Sequence, residues 1–329
     1  MKVRSDMVLF GLGSDRALHQ AIARAAGVPL AAHEERDFED GEYKLRPLES
    51  VRGRDAYVVA SLYGDGARSV DDKLCRLLFF LGALRDASAA RVTAVTPYLC
   101  YARKDRRTKA RDPITTRYVA SLFEAMGVDR VVAVDVHDRA AFDNAFRIPA
   151  EHVRAQPLFV EHYAALARAR DALVLSPDIG GVKRAEALRL ALSEAVGREI
   201  PSGFMEKHRS GGRVTGEAVI GDIAGKAVIV VDDLISSGGT LARAAQACRE
   251  RGAHVVHAAA THGLFVGDAS RVLAEAPLDR ITITSTVPPF RLDPEVARAR
   301  LGVLDIGPLI GEAIGRIHRG ASITALCGP

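Results

Sequence analysis

Apolar and polar positions along this chain follow two alternating rhythms. Short runs of consecutive apolar residues, many of them β-branched, read as strands buried on both faces. Between them lie longer stretches with apolar residues three and four apart, the spacing of helices that cover a sheet with one face. In the first half VRGRDAYVVAS (51–61), ARVTAVTPY (90–98) and DRVVAVDVH (129–137) predict strands, and DDKLCRLLFFLGAL (71–84) and TTRYVASLFEAMG (115–127) predict helices. In the second half DALVLSP (171–177), KAVIVVDD (226–233), AHVVHAAATHG (253–263) and DRITITST (279–286) predict strands, with helices from Lys183 to about Val196 and from Leu241 onward. This alternation predicts an α/β protein whose mainly parallel sheets are flanked by helices. DALVLSP echoes DAYVVAS and the order of elements repeats, which reads as two domains of one fold, residues 1–153 and 154–329.

Composition narrows the class. The chain has 329 residues, 48% hydrophobic and 26% charged, enough for two domains of ordinary size. A net charge of +4 is too slight to argue for nucleic acid and suits anionic, phosphorylated substrates. Cys75, Cys100, Cys248 and Cys327 lack metal-ligand spacing and read as reduced thiols. No apolar run reaches membrane-spanning length, and Asp6 and Asp15 interrupt any signal-like start, so the expectation is a cytoplasmic protein with no membrane partner.

The segment richest in chemistry is VIVVDDLISSGGT (228–240). Four β-branched residues lead into Asp232 and Asp233; a loop of hydroxyls and glycines follows (Ser236, Ser237, Gly238, Gly239, Thr240), and then an amphipathic helix. Strand, small-residue loop and helix is the layout that cradles a phosphate, because N–H groups and the helix dipole face the anion. The paired carboxylates add acceptors for sugar hydroxyls. A tight turn with a helix cap is the plainer alternative, but it gives no reason to set two like charges side by side.

Four further segments carry candidate residues. In DFEDGEY (37–43), Phe38 offers a face for a base, and Asp40 and Glu42 can accept from an amino group or a ribose; alone it is also a common turn. PYLCYARKDRRTKARDPIT (97–115) sets Arg103, Lys104, Arg106, Arg107, Lys109 and Arg111 just after a strand, either a solvated charged loop or a cationic loop closing on polyphosphate. SPDIGGVKRAEAL (176–188) repeats strand, Gly-Gly turn and helix; Asp178 suits a magnesium-water shell, while Lys183 and Arg184 either bind phosphate or decorate the helix. FMEKHRSGGRV (204–214) places Lys207 and Arg209 before a glycine-rich flap, a point charge and a fork for phosphoryl oxygens. His137 ends a strand, where structural and ligand roles are both open.

Taken in order, these segments resemble the ribose-phosphate pyrophosphokinases, the synthetases of phosphoribosyl pyrophosphate (PRPP). The likeness starts at FGLGSDRALHQAIARAAGVPL and runs on to AAATHGLF and TSTVPP. It implies two tandem phosphoribosyltransferase-like domains, an ATP side in the first, and a ribose 5-phosphate loop and catalytic flap in the second. It implies transfer of the β,γ-diphosphoryl group of MgATP to the anomeric hydroxyl of ribose 5-phosphate, giving PRPP and AMP. By motif, the segment Phe38, Asp40, Gly41 and Glu42 would hold adenine, Glu42 from a neighbouring subunit; Arg103, Lys104 and Asp105 would lie at ATP; His137 and Asp178 would serve magnesium. Lys207, Arg209 and Arg103 would be the catalytic cations, Asp232 and Asp233 would bind the ribose hydroxyls, and residues 236–240 the 5-phosphate. A homo-oligomer, dimer or hexamer, is implied as well.

The chain departs from the family pattern in places. Lys104 stands where Gln is common, Ser236 and Ser237 replace the commoner Asp-Thr, His208 replaces a frequent Arg, and DRAAFDNAFRIP (138–149) differs throughout. Regulation and assembly therefore stay open. A phosphoribosyltransferase consuming PRPP fits the phosphate loop but not the long amino-terminal half. A regulatory homologue would be expected to lose the flap cations, which are kept.

Overall fold

Strands whose side chains are apolar on both faces need helices above and below them, and both sheets of this chain are built that way. The computed structural model describes residues 6–210 and 213–327. They form two compact units, one comprising the chain up to Arg154 and again from Asp305 onward, the other comprising Ala155–Leu304.

In the first unit the elements are β1 (Met7–Gly11), α1 (Arg16–Ala26), the hairpin β2 (His33–Asp37) and β3 (Tyr43–Pro47), β4 (Asp55–Val59), α2 (Val70–Asp86), β5 (Arg91–Thr96), α3 (Thr115–Ala125), β6 (Arg130–Val134), α4 (Arg139–Ala145) and β7 (Ala150–Val153). The sheet order is β1-β4-β5-β6-β7, parallel throughout, with the hairpin forming a separate antiparallel pair. Every residue of β4 is buried. Local chemistry sets the helix ends: the Asp15 and Ser69 side chains accept from Leu18 N and Asp72 N, and Gly27 closes α1 in the left-handed region. The divergent segment 138–149 is largely α4, whose Phe142 packs edge-on to Phe146 at 5.2 Å between centroids, in the core.

The second unit contains α5 (Gln156–Ala169), β8 (Ala172–Ser176), α6 (Val182–Val196), β9 (Ser202–Ser210), β10 (Arg213–Ile220), β11 (Ala227–Ile235), α7 (Gly239–Glu250), β12 (Val255–Gly263), α8 (Ala269–Glu275), β13 (Arg280–Thr284), α9 (Pro294–Arg300) and β14 (Leu301–Leu304). Its sheet runs β10-β9-β8-β11-β12-β13-β14, parallel except for β10. Strand order reverses between β8 and β11: from β8 the chain builds outward to β10, then returns to build the other way. Open α/β sheets bind ligands outside the carboxyl ends of strands at such a reversal.

The expected second domain ran to residue 329, but the structure returns the last segment to the first unit. There α10 (Gly307–Arg319) lies on α1, and a side chain at Gly307 or Gly311 would overlap Ala21 or Ala25. His318 Nδ1 sits 2.8 Å from Oδ2 of the buried Asp55, and α11 (Thr324–Cys327) follows, its Leu326 carbonyl accepting from Arg154 N at 3.0 Å. Close helix approach through small residues holds this tail where it is.

Candidate active site

The carboxyl end of β11 carries Asp232 and Asp233, and the strand continues past them to Ile235. Asp233 is buried; Asp232 Oδ1 accepts from its backbone N at 2.9 Å. From α6, Arg184 Nη1 approaches Asp232 Oδ1 at 3.4 Å and Asp233 Oδ1 at 3.6 Å. Burial, then the neighbouring Asp233, pushes the Asp232 carboxyl up to about 7 against the pull of Arg184. Sequence reasoning left Arg184 undecided between phosphate and surface; the structure places it on the acidic pair.

The helix after this strand starts earlier than expected. Gly238 is the cap of α7, at φ +78, and Gly239 and Thr240 are its first residues. A side chain at Gly238 would also meet Leu273 at 2.8 Å, so the turn needs glycine for two reasons. The first N–H groups of α7 have no acceptor within the helix, so Ser236, Ser237, Gly238, Gly239 and Thr240 set backbone donors beside two carboxylates. On the adjacent strand β8, the chain turns at Asp178, whose Oδ1 accepts from Gly181 N at 2.9 Å and whose carbonyl accepts from Ser176 Oγ at 2.6 Å. Lys207 and Arg209 lie on β9, paired in register with Glu217 and Val214 of β10; their side chains, and residues 211–212 of the expected flap, lie outside the described residues.

In the first unit the long loop after β5 is knotted rather than extended. Asp112 Oδ2 accepts from Thr108 N, Thr108 Oγ1 and Lys109 N at 3.1, 2.7 and 2.9 Å. Lys104 N donates to Tyr101 O, and Thr116 N to Lys104 O. The result is a cavity of ≈ 150 Å³ lined by Arg103, Lys104, Asp105, Arg106, Asp112 and His137, among others. The structure thus brings His137 to the cationic loop, as an exposed residue beyond the end of β6 rather than its last strand residue. Tyr101 and Arg111 in this loop, and Asp135 just past β6, adopt positive φ (58°, 69° and 37°). Sequence reasoning missed Asp112 as the organiser; the Asp-Pro step closing the basic run was its signal.

Phe38, Asp40, Gly41 and Glu42 form the tip of the β2–β3 hairpin. The tip is tight: Phe38 N donates to Glu42 O at 2.8 Å, Glu42 N to Asp40 Oδ1 at 3.0 Å, and Gly41 has φ +89. Phe38 is 40% exposed, with the Arg36 guanidinium 5.2 Å from its ring centroid. None of these four residues lines the cationic cavity of the same chain.

His137 and Asp178 belong to different units, and among the described residues no group of three or more His, Cys, Asp or Glu is placed to hold a metal. No helix among the described residues is long and apolar enough to cross a membrane.

Fold and sites together define a two-domain α/β protein of phosphoribosyltransferase-like architecture, with a carboxylate pair beside a glycine-capped helix start in one unit and a cationic cavity in the other. Residues 7–127 match the N-terminal domain of ribose phosphate pyrophosphokinase, and 209–327 match the phosphoribosyl synthetase-associated domain. The chain is 38% identical over 323 residues to a ribose-phosphate pyrophosphokinase of Caldanaerobacter subterraneus, covering 98% of each, and 36% identical to that of Aquifex aeolicus, covering 95% of this chain and 96% of that one. A crystal structure of phosphoribosylpyrophosphate synthetase from Mycobacterium smegmatis superposes with a TM-score of 0.85 at 34% identity, covering 96% of this chain and 100% of that one. The chain belongs to the ribose-phosphate pyrophosphokinase family.

Proposed function

We propose that this chain transfers the β,γ-diphosphoryl group of MgATP to the anomeric hydroxyl of ribose 5-phosphate, releasing PRPP and AMP. The observation that carries this reading is the paired Asp232 and Asp233 beside the glycine-capped start of α7, at the reversal of the second sheet. The 5-phosphate sits on the N–H groups of residues 236–240. Ribose hydroxyls donate to Asp232 and Asp233, which fixes the sugar with its anomeric hydroxyl free. ATP lies against the cationic cavity, where Arg103, Lys104 and Asp105 meet it.

The step is an in-line displacement. The anomeric oxygen bonds to the β-phosphorus, the bond from that phosphorus to the α–β bridging oxygen breaks, the hydroxyl proton is released, and AMP leaves. Such a reaction needs positioning and charge neutralisation more than covalent help. Lys207, Arg209 and Arg103 supply that charge. Magnesium enters with the substrate as MgATP. Asp178 in the second unit and His137 in the first are the residues offered to magnesium, each a single oxygen or nitrogen ligand that suits a water-rich ion held mainly by phosphates.

The adenine-binding tip comes from a second copy of the chain, a reading that rests on the family resemblance. The working enzyme is therefore at least a dimer, and a monomer by light scattering at assay concentration would overturn that point. The main test incubates purified protein with ribose 5-phosphate, ATP and magnesium and quantifies both products. Equal AMP and PRPP support the reading. Consumption of PRPP and a base without ATP turnover would replace it with a phosphoribosyltransferase.

A further inference from the structure

The hairpin that carries Phe38 touches the rest of its unit through charged groups. Glu35 Oε1 accepts from Gly13 N at 2.9 Å and Oε2 from Arg68 Nη1 at 2.8 Å. Asp37, the last residue of β2, pairs through Oδ1 with Arg76 Nη2 and through Oδ2 with Arg68 Nη2 at 3.5 Å. Arg76 also donates from Nε to Asp72 Oδ1 at 2.9 Å, one turn back on its own helix, and its guanidinium lies 4.0 Å from the ring centroid of Tyr43. Asp37 and Tyr43 face each other in the hairpin register and are the two residues between which the tip is strung. One buried guanidinium, only 7% exposed, thus grips both sides of the neck while tied to α2.

A small cavity lies behind this clamp. It measures ≈ 20 Å³ and is lined by Asp15, Glu35, Ser61, Arg68 and Arg76, among others, room for about one water.

We infer that Arg76 is a positioning residue for the nucleotide base: it fixes the neck of the β2–β3 hairpin so that the tip at residues 38–42 is presented in one orientation. This rests on the assignment of that tip to adenine made above. Lysine cannot replace it, because only a planar fork reaches Asp37 and Asp72 while stacking on Tyr43.

The test uses the full chain with Arg76→Met and Arg76→Lys. Calorimetric titration of ATP and steady-state kinetics are run with ATP, GTP and ribose 5-phosphate varied. Both variants are expected to weaken ATP binding and raise KM for ATP about tenfold, with KM for ribose 5-phosphate moving less than about twofold. The preference for ATP over GTP should fall by a similar factor, a loss that general destabilisation does not produce. Equal shifts in both substrates, or unchanged ATP affinity in a folded variant, would overturn the inference. Should Arg76→Met fail to fold, Asp37→Asn, at a side chain 60% exposed, must show the same selective ATP defect or the clamp is wrong. Glu34→Gln, on the same hairpin but paired outward with Arg46, is expected to leave both constants alone. A wild-type chain that binds ATP yet forms no PRPP would refute the proposed reaction, while the ATP affinities of the variants would still decide the clamp. A wild-type chain that does not bind ATP ends both.

Discussion

The two units of this chain carry the same order of elements and use it in opposite ways. In each, a strand and a helix lead to a hairpin, and parallel strands follow: β1, α1, β2–β3 and β4 correspond to β8, α6, β9–β10 and β11. In the second unit β9 joins the sheet beside β8. In the first the hairpin stands apart, and a single parallel bridge between Leu9 and Leu30 is what remains at that edge. The corresponding clefts differ accordingly. Between β8 and β11 two carboxylates face a glycine-capped helix, held by Arg184 at the loose distances of 3.4 and 3.6 Å. Between β1 and β4 the backbone N–H of Gly13 is already taken by Glu35. One topology thus sets a carboxylate pair beside a helix start where the hairpin extends the sheet, and a cleft filled by Glu35 that anchors the hairpin where it does not.

The largest effect should come from removing what only the open cleft has. Asp232→Asn with Asp233→Asn is expected to lower kcat/KM for ribose 5-phosphate by roughly 10²–10⁴-fold, two charge-assisted hydrogen bonds being about 1.5–3 kcal/mol each. A smaller loss in the product assay would mean that the ribose hydroxyls lie elsewhere. Next comes the turn itself. Gly238→Val combines positive φ with a collision on Leu273 and should destabilise the fold by about 2–4 kcal/mol in urea unfolding.

Glu35→Gln probes the filled cleft. Burial raises this carboxyl, but His33, the Gly13 amide and Arg68 outweigh burial and hold it down at about 2, below its ordinary 4.5. A depressed carboxylate contributes stability above its unfolded pKa and loses it as pH falls through the folded one. The variant should therefore be less stable by about 1–3 kcal/mol at neutral pH. Its deficit should shrink as pH falls from 4.5 toward 2, followed by thermal unfolding. A deficit constant over that range would separate Glu35 from the anion role.

The smallest effect has the opposite sign. Asp232 is raised from 3.8 to about 7, so its contribution to folding is present below 3.8 and lost as pH rises through 7, whereas sugar binding needs it ionised. KM for ribose 5-phosphate should fall about tenfold between pH 6 and pH 8 and level above that, a limb that Asp232→Asn flattens. The sugar's own phosphate, with a pKa of about 6, titrates alike in both proteins, so their ratio isolates the carboxylate.

Much of this was legible in the sequence. The runs 90–98, 129–137 and 226–233 became β5, β6 and β11, because strands buried on both faces must be continuously apolar. The glycine turn from β11 into α7 was legible because turn chemistry is local. The repeat was legible too, but its echo misled: DAYVVAS forms β4, the counterpart of β11, while DALVLSP forms β8, the counterpart of β1. Parallel strands of one sheet meet similar surroundings, so their sequences converge whatever their place in the order. The polar hairpin β2–β3 and the edge strand β7 left little pattern, since HEERD and AEHV alternate weakly. The return of α10 to the first unit had one signal, Gly307 and Gly311 four apart, whose meaning depended on the small residues of a helix far away in the chain.

The sequence by itself determined the α/β class, the strands and helices of the cores and the glycine turn into α7, because each rests on local periodicity or short-range turn chemistry. The tertiary structure alone decided that Arg184 faces the acidic pair, that Asp112 knots the cationic loop around His137, that Glu35 fills one cleft while its counterpart stays open, and that Arg76 holds the neck of the hairpin. Those outcomes depend on which distant side chains share one small volume, and Coulombic and hydrogen-bond energies are fixed by distance and burial rather than by position along the chain.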